Sequence, residues 1–371
     1  MTIALHAPTV RQPWIHSAAI DGTFILGPAL LATAVALLIV LDGQPQAGLG
    51  LWSWALLVIG IDVAHVYSTV YRTYFDPLER AHLSGWLIAV PITTWVAGVL
   101  LYSMSAASFW TVLAYTAVFH FVRQQYGFLM LYARAERSLP VWCRRLDQIS
   151  IYGATLFPLL YWHTHLPRQF VWFIDGDFLP LPDILWSIAL PPYVALCLAY
   201  LAKEAWLRLR AQPFNIPRNA IVLGTGLSWF FGIVITNGDL VFTLTNVVAH
   251  GVPYLALTCI YQRRRDQQLQ RPWSLFTLRL LPFAIGLLVL FAFIEEGFWD
   301  ALVWREHLAL FPGFRLLPEI QGIGALSLLV PLLAVPQMTH YVIDGLIWRL
   351  RAHPEWRTTL FGRPGAKVHA T

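Results

Sequence analysis

Charge is scarce in this chain of 371 residues: Asp, Glu, Lys and Arg make up 12% of it, against 57% hydrophobic residues and a mean hydropathy of +0.59. A water-soluble globule carries about a quarter charged residues, so that class is excluded and an all-α, polytopic membrane protein is expected. Thiols are equally rare. Cys143, Cys197 and Cys259 are too few and too scattered for a disulfide framework or a thiolate zinc site. The sequence also lacks H-E-x-x-H, which argues against a zinc metalloprotease of that type. It has no H-x-x-H-H or H-x-x-x-H box, no C-x-x-C pair and no G-x-G-x-x-G ahead of a soluble fold. No loop has room for a second domain.

Long apolar runs are plentiful instead. Windows long enough to span a bilayer fall at 24–41, 49–71, 84–102, 107–133, 147–163, 184–202, 219–236, 240–261, 274–294 and 322–348, so about ten transmembrane helices are expected. The first run has no obvious A-x-A site and reads as a retained anchor. Arg11 and the 2, 4, 4, 5 and 5 basic residues after the second, fourth, sixth, eighth and tenth windows, with Arg279 near the start of the ninth window counted after the eighth, account for 21 of the 25 Lys and Arg. By the positive-inside rule both termini face the cytoplasm, and the localisation expected is a cytoplasmic (inner) membrane. The whole of 1–371 then forms one transmembrane domain. Residues 1–22 make a cytoplasmic N-terminal segment, 164–183 and 295–319 extracytoplasmic loops, and 350–371 a cytoplasmic tail. The net charge of +5 reflects these inner loops and their anionic lipid; no nucleic-acid partner is implied.

The few polar residues inside the windows are not scattered. Residues Pro336–Arg349, PQMTHYVIDGLIWR, put His340 and Asp344 four apart on one helical face. An ionisable residue at a helix centre in lipid costs about 2.5–3.5 kcal/mol and is a functional candidate. The second window, in IDVAHVYSTVYRTY, carries Asp62 and His65 three apart; the fourth, in HFVRQQYGF, carries His120, Arg123 and Gln124 along one stripe. Arg123 needs an anion there, from Asp62, Asp344 or an acidic group on a substrate or porphyrin. The eighth window carries Asn246 and His250, then Gly251 and Pro253, and the proline frees the carbonyl of Ala249. His82, just before the third window, stands near the same side of the membrane.

All four buried histidines lie on even-numbered segments running toward the cytoplasm, roughly 10–21 Å from the first following basic residue. His65, His120, His250 and His340 are therefore expected to share one pocket. Left unpaired at mid-bilayer, Asp62, Arg123 and Asp344 would together cost about 9 kcal/mol, and a divalent metal would offset the two carboxylates. Histidines with carboxylates suit iron or another first-row ion, mononuclear or dinuclear. The expected ligands are His65, His120, His250, His340, Asp62 and Asp344, with His82, Gln124 and Asn246 as further candidates. Asp62, Asp344 and Arg123 are the candidate catalytic groups.

The stretches HFVRQQYGF, HGVPY and HYVIDGLIWR resemble segments of uncharacterised bacterial multipass inner-membrane proteins, a resemblance that carries no activity. In the number and placement of its histidines the chain is similar to the membrane non-haem iron oxygenases and desaturases, although it lacks their motif spelling. That likeness implies a metal-dependent oxidoreductase acting on a lipophilic substrate that enters from the lipid bilayer, with electrons from a soluble donor at the cytoplasmic face. A zinc hydrolase of lipid amides or esters, resembling the ceramidase-like class, is an alternative. A haem-binding electron carrier and a proton-coupled transporter are the non-enzyme alternatives.

Overall fold

In the computed structural model, residues 12–136, 138–350 and 353–362 are described. The start of the N-terminal segment, up to residue 11, and tail residues 351–352 and 363–371 lie outside the described residues. The regular structure among the described residues is helical, with no strand.

Long helices follow the ten apolar windows: α1 (Ala18–Leu41), α2 (Leu51–Arg72), α3 (Ser84–Met104), α4 (Ala106–Tyr132), α5 (Val141–Thr164), α6 (Ile184–Leu209), α7 (Ile216–Ile235), α8 (Asp239–Gln268) and α9 (Leu281–Trp304), then a bent pair, α10 (Ile323–Leu333) and α11 (Val335–Ile347). A short helix, α12 (Pro354–Phe361), follows. Seven of these are long and apolar enough to cross a membrane, or eight if α10 and α11, which meet at 42°, count as one span. Neither α4 nor α5 is among them, and both carry charge within the helix: Arg123 in α4, and Arg144, Arg145 and Asp147 in α5. Large side chains such as Leu31, Leu38, Ile88 and Leu198 are exposed along the apolar helices, as expected of an integral membrane protein facing lipid.

The bundle has a clear centre. Buried residues make up 61% of the apolar window of α8 but only 6% of that of α6, which places α8 inside and α6 at the edge. Helix α8 packs against α1, α2, α4, α7 and α12, while α11 packs against α2, α3 and α4. Close approach at the bend of the last span depends on Gly98, where an added Cβ would lie 2.8 Å from Pro331 Cβ.

One boundary departs from expectation. Helix α9 runs on to Trp304, so Glu295 and Glu296 lie inside a helix and not in an outer loop starting at 295. The cause is continued apolar spacing, since FAFIEEGFWDALVW carries enough large apolar side chains to keep packing past the two glutamates.

Candidate metal centre

Four helices each deliver one imidazole to the middle of the bundle: His65 from α2, His120 from α4, His250 from α8 and His340 from α11. All four are buried. One ring nitrogen from each lies within 4.8 Å of all the others, and the Nε2 atoms of His65 and His250 are 3.0 Å apart. Ring centroids are 4.6–5.1 Å apart for the neighbouring pairs, with interplanar angles of 62–86°, so edges rather than faces converge.

These separations fit a single small ion. With metal–nitrogen bonds of about 2.0–2.1 Å, nitrogens at right angles lie roughly 3 Å apart and opposed ones roughly 4.2 Å, so only slight contraction is required. Nitrogen chemistry points the same way. His65 Nδ1, His120 Nε2, His250 Nδ1 and His340 Nε2 are buried without a hydrogen-bond partner. His65 and His250 face each other through Nε2, so their orphaned Nδ1 atoms lie on the other side of each ring; the unpartnered Nε2 atoms of His120 and His340, costing about 1–3 kcal/mol each, are the ones open to a ligand. Rings packed this closely favour an ion over a porphyrin.

Local sequence explains the placement. Pro253 has no N–H for the carbonyl of Ala249, and Gln125 Nε2 donates to that carbonyl at 3.4 Å. Gln124 Nε2 donates to the carbonyl of His250 at 2.8 Å, and the His250 ring stacks on Phe121 at 3.5 Å. Helix α4 thus clamps α8 at its proline. On the other side, Gly251 lets α2 in: an added Cβ would lie 2.8 Å from Ile61 Cγ2, 3.3 Å from the Ile61 carbonyl oxygen and 3.4 Å from His65 Nδ1. The stretch Ala55–Val63, just before His65, is π-helical, a local widening that recurs at functional sites.

Below the histidines lies a polar layer. Tyr254 donates its hydroxyl proton to Asp344 Oδ1 at 2.5 Å, and Thr69 donates to the same oxygen at 3.1 Å. Each hydroxyl has one proton, so Thr69 meets His340 Nδ1, 2.7 Å away, with a lone pair. In that arrangement the proton on His340 is on Nδ1, which leaves Nε2 bare to act as a ligand. Asp344 orients the site through Thr69, and its other oxygen lies 3.9 Å from His120 Nε2.

The remaining expected residues divide. Asp62 Oδ1 is 3.7 Å from His65 Nδ1, beside the centre but outside the group of four mutually close nitrogens. Gln124 acts on the backbone of α8. Asn246 is buried one turn above His250 and donates to the Phe242 carbonyl at 2.9 Å. Arg123 requires correction: it shares no ion pair with Asp62 or Asp344. It is exposed, donates to the Tyr152 hydroxyl at 2.5 Å and covers the Tyr126 ring, because it sits on the outer edge of α4, away from His120 and Gln124. His82 is also exposed, beside His353 and Trp356, away from the four imidazoles.

No family model, curated protein or solved structure matches this chain. The site must be read from its own chemistry.

Sequence reasoning passed over Thr69 and Tyr254, although each follows its histidine by four residues as Asp344 follows His340. It also missed a second buried network. Lys203 and Arg218 both pair with Asp147 and Glu204, Arg218 to Asp147 at 3.2 Å and Lys203 to Glu204 at 2.7 Å, joining α5, α6 and α7.

Proposed function

We propose that this chain is a membrane-embedded, metal-dependent oxidoreductase whose centre is a first-row metal, iron foremost, held by His65, His120, His250 and His340. The observation that carries the reading is the convergence of four buried imidazole nitrogens within 4.8 Å, with His120 Nε2 and His340 Nε2 lacking any hydrogen-bond partner. Four neutral nitrogen ligands would suit a single first-row ion. Iron bound there supplies the redox chemistry for oxygenase, hydroxylase or desaturase-like reactions. The chain's own part is to fix the ring orientations, through Thr69 and Asp344 at His340 and through Gln124, Gln125 and Phe121 at α8, and to exclude water. Asp62 and Asp344 balance charge from outside the ligand set.

In this reading α4 and α5 also cross the bilayer, giving about ten spans with both termini in the cytoplasm of a bacterial-type inner membrane. A lipophilic substrate enters from lipid, and the basic inner loops receive a soluble acidic electron donor.

Elemental analysis of gently extracted protein tests the proposal. About one iron per chain is expected, lost in His250→Ala and His340→Ala while both variants remain monodisperse. Full metal content in both would defeat it. A stoichiometric, colourless zinc would replace the oxidoreductase with a hydrolase at the same site.

A further inference from the structure

Arg123 is exposed, and its partners differ from those of several arginines buried or half-buried in this bundle. Arg72 is held by the Ile347 carbonyl and the Tyr261 and Trp348 rings, Arg218 by three carboxylates, and Arg134 and Arg168 by backbone carbonyls. Arg123 has two neutral aromatic partners, Tyr152 and Tyr126, and no carboxylate within ion-pair distance among the described residues. The two tyrosines stack on each other, with centroids 5.3 Å apart, which fixes the phenol that receives the guanidinium.

Its surroundings are apolar and outward-facing. Exposed residues on α4 recur as Val112, Tyr115, Phe119 and then Arg123, the spacing of a single helical stripe, and Ile149 and Leu156 are exposed on neighbouring α5. Arg123 lies 11 residues before Arg134, roughly 16 Å along the axis, which places it well within the hydrocarbon if α4 spans the bilayer. Water does not supply acceptors there. A guanidinium keeps several N–H donors beyond the one used by Tyr152, and their natural complement is a planar or tetrahedral oxyanion.

We propose that Arg123, Tyr126 and Tyr152 form a seat for the acidic headgroup of a lipophile, a carboxylate or phosphate carried on an apolar chain lying along Phe119 and Leu156. The proposal rests on the reading above that the substrate comes from the bilayer, and names its class: an anionic amphiphile. His120 is on the same helix one turn away, so headgroup capture and the metal centre share α4.

The test uses the full chain in phosphatidylcholine nanodiscs with nitroxide-labelled stearate, read by electron paramagnetic resonance at alkaline pH, where the carboxylate is ionised. A protein-immobilised component is expected, weaker by about tenfold or more in Arg123→Gln and partly kept in Arg123→Lys. Tyr152→Phe should weaken it less. The methyl ester of the same label should show none. Displacement by phosphatidic acid at low ratio would identify a phosphate headgroup as the preferred form of the same anion chemistry. Equal displacement by inorganic phosphate would overturn the amphiphile, and equal immobilisation in wild type and Arg123→Gln would overturn the seat. Metal content read on the same samples separates the two proposals: Arg123→Gln should retain it, and a chain without metal that still immobilises stearate defeats the metal reading alone.

Discussion

His65 and His250 meet through their Nε2 atoms at 3.0 Å, although the two residues are 185 apart in sequence. The approach is set by the residue after His250. Gly251 leaves room for the Ile61 backbone, and any larger residue would push α2 outward at the turn before His65.

Gly251→Ala should therefore widen the separation of the two rings. The Ile61 side chain can rotate away from the 2.8 Å clash, but its carbonyl, 3.3 Å from the new methyl, cannot. A loss of about 1–3 kcal/mol of stability is expected, with weaker metal binding. Thermal unfolding in detergent and a chelator competition would show both, and Ile61→Ala in the same chain should recover part of the loss. An unchanged metal affinity in Gly251→Ala would mean that the helix approach does not set the centre.

Thr69→Val keeps the shape of the side chain and removes the hydroxyl that joins His340 Nδ1 to Asp344. Without it the His340 tautomer is no longer fixed. Metal affinity should fall about 10–100-fold, the usual cost of losing a partner that orients a ligand. Thr69→Ser should restore it. Equal affinity in the valine variant would show that His340 is oriented by packing alone.

The residues around the centre show which parts were legible beforehand. Apolar run length revealed the helices, and the energetic cost of burying histidine revealed His65, His120, His250 and His340. The surrounding polar layer was only half readable. Because α2, α8 and α11 run in one direction, residues four after each histidine fall at one level, where Thr69, Tyr254 and Asp344 meet. Asp62 and Asn246 precede their histidines and fall at the level above. A charge in an apolar run drew attention to Asp62 and Arg123, whereas a threonine and a tyrosine in helices looked ordinary. Which edge of α4 Arg123 occupies depends on tertiary packing that spacing does not encode.

The network of Lys203, Asp147, Glu204 and Arg218 makes a contrasting prediction, since it is buried and ion-paired away from the centre. Removing one partner, as in Asp147→Ala, leaves two buried cations sharing what remains, and a loss of about 3–5 kcal/mol is expected. Asp147→Asn should lose less, since the amide can still accept. Iron per folded chain should be unchanged in both. A metal deficit in monodisperse Asp147→Ala would tie the network to the centre.

Removing the metal should itself destabilise the fold. An ion that binds only the folded state adds about 2.7 kcal/mol when present at a hundred times its dissociation constant, so dialysis against a strong chelator should lower the melting temperature. The buried orphan nitrogens of His120 and His340 would then have no ligand, which works in the same direction. Returning ferrous iron under anaerobic conditions should restore the melting temperature of wild type. His250→Ala should melt lower from the start and respond to neither chelator nor iron, because its ligand set is already broken. If wild type and His250→Ala shift by the same amount on chelation, the stabilising ion lies elsewhere in the chain, and the four imidazoles are a polar core with no metal of their own.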